Sequence, residues 1–173
     1  GGGSADIMVQ PDTGSGNSGT PVARSSELQI PTGRLAKALE GTSLLPADAN
    51  GIQVPEGFTA KVVATSGSLV TGTNPTAYSW HSFPDGGACY ETDDGGWVYT
   101  SNSEVVGSAL GQNLGGAGAI RFNANGSTHS AYRILSNTQQ NCAGGKTPWG
   151  TWMSGEENSS GQLWDCDPMG VND

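Results

Sequence analysis

Residues Trp80–Val105 read WHSFPDGGACYETDDGGWVYTSNSEV. Runs with alternating apolar residues are broken by PDGG and DDGG, and Asp-Gly and Gly-Gly between such runs are strong signals for tight hairpins. The reading is strand Ala77–His81, turn at PDGG, strand Ala88–Glu91, turn at DDGG, strand Trp97–Ser101. The style holds on both sides. Upstream, Pro55-Glu56-Gly57 turns into a strand over Phe58–Ala64. Downstream, a glycine-rich connection (Gly107–Gly118) leads to strand Ala119–Asn123, an NANG turn and strand His129–Leu135.

Composition agrees. The 173 residues include 28 glycines and 9 prolines with only 13% charged residues, which favours short strands and many turns over helices. Closely spaced short strands indicate an all-β sandwich, barrel or propeller. At roughly 40–45 residues per four-stranded blade, the strand-rich part holds about three blades, fewer than a closed ring needs. The chain on this reading is a fragment of a longer protein, is completed by another chain, or forms a smaller self-contained β fold. The net charge of −9 argues against nucleic acid or anionic lipid as partner. No apolar run approaches the length of a membrane-spanning helix.

Residues 1–26 (GGGSADIMVQPDTGSGNSGTPVARSS) are of low complexity and read as a flexible Gly/Ser-rich linker. It is either an engineered linker or the tether of an envelope lipoprotein, and ADIMVQ (5–10) is its one patch able to join a sheet edge. Residues 27–51 form a helix or turn segment. In it PTGRLAKALEG (31–41) carries the only helical pattern, with Thr32 as cap, Leu35 and Leu39 on one face and Gly41 as stop. Residues 52–173 are the blades. Cys89, Cys142 and Cys166 form no zinc-type cluster, and their odd number leaves one thiol beyond any internal disulfide.

The chemistry-bearing stretch is Asn141–Asp167, NCAGGKTPWGTWMSGEENSSGQLWDCD. A strand-like run GTWMSG ends in Glu156 and Glu157, turns at Asn158–Gly161, and returns as QLWDCD. Paired carboxylates beside a Gly-rich loop suit a divalent cation, which needs several oxygen ligands at one point. The same pattern also describes a hairpin with two solvated glutamates. Strand alternation sends the two side chains to opposite faces unless the backbone turns at Gly155. Trp149 and Trp152 are expected between blades. His81 reads as a packed residue and Asp85 as a turn former.

TPWGTWMSGEEN (147–158) resembles the TPWGTWLTCEEN-type signature of the PhoX-type alkaline phosphatases, calcium-dependent β-propellers of bacterial envelopes. WHSFPDGGACYETDDGGWVYTSNSEV, GGAGAIRF and AYRILSNTQQNCAGG extend the resemblance from about Leu45 onward. It implies an N-terminal part of a phosphatase propeller acting on phosphate monoesters, periplasmic, lipid-anchored or extracellular. It also implies a metal centre that includes Glu104, at the position of the glutamate in the family's VNHEY block, together with Glu156 and Glu157. Calcium is the implied cation. Iron is disfavoured, because the family cysteine that gives iron a thiolate is replaced by Gly155. A second reading, from a different class, is a non-catalytic propeller subunit for assembly or adhesion at the cell surface.

Overall fold

The computed structural model describes residues 5–11, 43–74 and 78–170, with 5–11 described as backbone only. The described residues are all-β. Contacts divide the chain into two compact units, one of Gly1–Asp6 with Val62–Asp173 and one of Ile7–Lys61. The expected helix at 31–41 lies outside the described residues, as does most of the expected linker. Within that linker Ala5–Pro11 forms strand β1, in a two-stranded sheet with β2 (Phe58–Thr65). In the smaller unit Leu44 bridges Pro55, and the Asp48 carboxylate accepts the backbone N–H groups of Asn50 and Ile52, closing a turn.

The larger unit contains two antiparallel meanders. The first is four-stranded, in the order β3 (Pro84–Glu91), β4 (Trp97–Ser103), β7 (Gly115–Phe122), β8 (Thr128–Thr138). This is the form of a propeller blade. Between β4 and β7 a small hairpin, β5 (Ser108–Ala109) and β6 (Gln112–Asn113), interrupts the glycine-rich connection. The second meander is three-stranded: β9 (Asn141–Lys146), β10 (Trp152–Glu156), β11 (Leu163–Cys166). No closed barrel forms among the described residues.

Two expected turns form as read. Thr92 N–H bonds the Gly96 carbonyl across DDGG, and Gly126 N–H bonds the Asn123 carbonyl in NANG. PDGG does not turn. It opens β3, and the register with β4 shifts between Pro84 and Gly87. The reversal comes earlier, at Phe83, whose φ is +50°. Of the expected strand Ala77–His81, residues 78–81 are described and form no strand; among them only Ser79 is bridged, to Leu69.

Strand β7 is buried along nearly its whole length, and β4 presents Val98, Thr100 and Asn102 on one face. Val98, Tyr90, Ala117 and Ala119 pack there against Trp152 and Cys166 of the second meander, forming the core between the two sheets. The expectation for Trp152 holds. Trp149 differs: it is 65% exposed, and its indole N–H donates to Asp165 Oδ2 at 3.1 Å.

Candidate metal centre

Two sheets deliver side chains to one place. Asp85 is the second residue of β3, Glu104 follows β4, Cys142 lies on β9, and Glu157 follows β10. One ligand atom from each of Asp85, Glu104 and Cys142 falls within 4.8 Å of the others. The Cys142 thiol donates to Asp85 Oδ2 at 3.4 Å. Asp85 Oδ1 accepts the Gly86 N–H at 2.7 Å, which fixes the carboxylate against its own backbone.

Close approach of the backbones makes this possible. A Cβ at Gly86 would sit 2.7 Å from the Cys142 carbonyl oxygen and 3.3 Å from Ala143 Cα. Only glycine lets β3 run this near β9. Glu104 is anchored by its N–H to the Phe83 carbonyl at 2.9 Å, and Gln140 N–H reaches Val105 O at 3.0 Å, tying the approach to β9 to the end of β4.

The electrostatics show carboxylates crowded without compensation. Hydrogen bonding to Asp85 raises the Glu104 carboxyl above its ordinary range, helped by desolvation and by the charges of Asp85 and Glu157. The Cys142 thiol is pushed up to about 12 by desolvation and by hydrogen bonding to Asp85 and Glu157. Basic groups of the same unit are engaged elsewhere. Arg121 pairs with Asp94, Arg133 lies over the Tyr78 ring, and Lys146 sits over Tyr90 and donates to the Cys89 carbonyl.

Of the three ligands expected from the sequence, Glu104 belongs to this group, Glu157 lies beside it, close enough to act on Glu104 and Cys142, and Glu156 is engaged elsewhere. Glu156 Oε1 accepts Gln139 N–H at 2.7 Å, and Oε2 accepts Gln162 N–H at 3.0 Å. Partial burial would raise its carboxyl, but these two backbone donors outweigh it and hold it below the ordinary range. Glu156 therefore braces the loops on either side of β10. Asp85 and Cys142 were not expected in the site. The signal for Asp85 was hidden because Pro-Asp-Gly-Gly is also a turn sequence, and for Cys142 because NCAGG looks like a loop. Gly155 brings no thiol, but the neighbouring strand does, through Cys142.

Uncompensated carboxylates with one thiol fit a divalent cation. Oxygen ligands alone suit calcium, whereas a thiolate in the set favours a softer transition metal such as iron or zinc. Two clefts of about 580 and 450 Å³ lie elsewhere, and no cluster residue lines either. The first is walled by Glu91, Asp93, Arg121 and His129, the second by Trp149, Asp165 and Asp167. The cluster instead occupies an open rim, where ligand chemistry rather than concavity marks the site.

An all-β meander pair with a carboxylate–thiol cluster between its sheets defines a candidate metalloprotein of the propeller-blade kind. Residues 86–170 match the family model described as alkaline phosphatase PhoX. The matched stretch holds Glu104, Cys142 and Glu157, while Asp85 lies one residue before it. No curated protein and no solved structure matches the chain. Among the described residues no helix is long and apolar enough to cross a membrane.

Proposed function

We propose that the chain contributes a carboxylate–thiol metal centre to the hydrolysis of phosphate monoesters, in the bacterial periplasm, on its outer membrane or outside the cell. The observation that carries this reading is the convergence of Asp85, Glu104 and Cys142 within 4.8 Å, inside or beside the stretch matched to the phosphatase family. Asp85, Glu104 and Glu157 would supply the oxygen ligands and Cys142 a thiolate. A bound cation would neutralise phosphoryl oxygens and activate an oxygen nucleophile.

The protein's own residues prepare that site. Gly86 and the backbone around Gln140 hold the two sheets at the distance that groups the ligands. A bound cation would offset the charge of the acidic neighbours that, with desolvation, raises the proton affinities of Glu104 and Cys142. The test is release of phosphate from a simple aryl phosphate monoester by the folded protein, supplied separately with calcium, iron(II), zinc and manganese. Hydrolysis with one of these cations and its loss in Glu104→Gln support the reading. A folded protein inert under every cation overturns it.

A further inference from the structure

We infer that Asn102 is the positioning residue of this centre, holding the Cys142 thiol against the carboxylates of the other sheet through the backbone of β9. The inference rests on the proposed metal centre and adds to it a residue that touches no ligand atom.

Asn102 is fully buried on β4, two residues before Glu104. Its Nδ2 donates to the Cys142 carbonyl at 2.8 Å and to the Ala143 carbonyl at 3.1 Å. Its Oδ1 accepts the Trp152 indole N–H at 2.9 Å and the Ser154 hydroxyl at 2.8 Å. Two donors and two acceptor positions are all used, the full capacity of a side-chain amide. The orientation is forced, because an indole N–H can only donate and a backbone carbonyl can only accept.

The place of this clasp gives it its role. Register between β9 and β10 pairs Ser154 with Gly144 and Glu156 with Asn141, and shifts in between. Cys142 and Ala143 thus lie at an irregularity of the ladder. Asn102 takes both of their carbonyls and ties them to the strand that leads into Glu104. Other bonds join the two meanders, Tyr90 hydroxyl to Thr151 carbonyl, Gln140 N–H to Val105 carbonyl and Lys146 Nζ to Cys89 carbonyl, but none of these takes the backbone of residue 142, whose thiol reaches Asp85. A second group of buried polar residues supports the oxygen side: Thr138 donates to Asn141, and Asn141 Nδ2 donates to Ser154.

Cobalt(II) titration of the whole chain tests this, because cobalt bound by a thiolate shows a sulfur-to-metal charge-transfer band distinct from its weaker ligand-field bands. Wild type should show the band and Cys142→Ser should abolish it. Asn102→Asp keeps the shape and the oxygen side but loses the carbonyl clasp. It should bind cobalt through carboxylates with the charge-transfer band lost and an affinity about 10- to 100-fold lower. Ser154→Ala, which loosens the same core but leaves the clasp, should keep the band. Should the aspartate variant not fold, Asn102→Ser, which also lacks the paired donors, carries the same expectation. A wild-type protein without the band fails the metal-centre reading itself. A band kept at wild-type strength in the folded Asn102 variant overturns the positioning inference alone.

Discussion

Glu156 Oε1 accepts the Gln139 backbone N–H at 2.7 Å, so the first carboxylate of the adjacent pair is engaged by the polypeptide while Glu157 remains beside Cys142. The two should separate in mutagenesis. Glu156→Ala leaves two backbone donors without their acceptors and should cost about 1–3 kcal/mol of stability. Glu157→Gln should leave the urea midpoint nearly unchanged and weaken cation binding. Denaturation curves and calorimetric cation titrations on both variants check this, and equal effects on both quantities would contradict it.

Glycines near the centre should differ sharply in tolerance. A methyl group at Gly86 meets the Cys142 carbonyl at 2.7 Å, and one at Gly144 meets the Met153 carbonyl at 2.1 Å and the Trp152 ring. At Gly155 the nearest atoms are the flexible end of Leu163 at 3.3 Å and the Ala143 carbonyl at 3.4 Å. Gly86→Ala and Gly144→Ala should each cost about 1–3 kcal/mol, and Gly155→Ala less than about 1 kcal/mol. Gly86→Ala should also weaken cation binding, since it drives β3 and β9 apart. Thermal or urea unfolding of the three variants decides.

Acid should destabilise the protein through His81. The ring lies tilted against Trp80, with ring centroids 4.3 Å apart, and contacts the Tyr78 hydroxyl and Ser101. Burial, with the charge of Arg133, lowers its pKa from 6.5 to about 4. The unfolded chain takes up a proton near pH 6.5 and the folded chain resists it. Stability from this group is therefore complete above pH 6.5 and lost as pH falls towards 4, by up to about 3 kcal/mol. Urea midpoints measured across that window should fall less steeply in His81→Gln. An identical slope would contradict the assignment.

The sequence disclosed the strands whose ends are marked by turn chemistry. Thr92–Gly96 and Asn123–Gly126 each close a hairpin through a backbone bond within the segment, so local residues alone determine them. It concealed β9, because Gly144 and Gly145 have poor strand propensity. Gly144 is needed there by the Trp152 ring, a contact between strands that no local pattern announces. The site was legible in the same measure. Glu104 and Glu157 stand in recognisable blocks, whereas Asp85 and Cys142 are 57 positions apart and meet only because two sheets converge. Glu156 looked equivalent to Glu157 because the loop amides that capture it come from Gln139 and Gln162.

Metal content tests the central claim most directly. The protein should be isolated without chelator, analysed for its elements, and compared with a Glu104→Gln, Glu157→Gln double variant prepared identically. The account predicts a stoichiometric divalent cation in the wild-type chain and little or none in the folded variant. A wild-type chain that is free of metal and takes up no calcium, iron, zinc or manganese when these are supplied, or equal metal in both proteins, would contradict it.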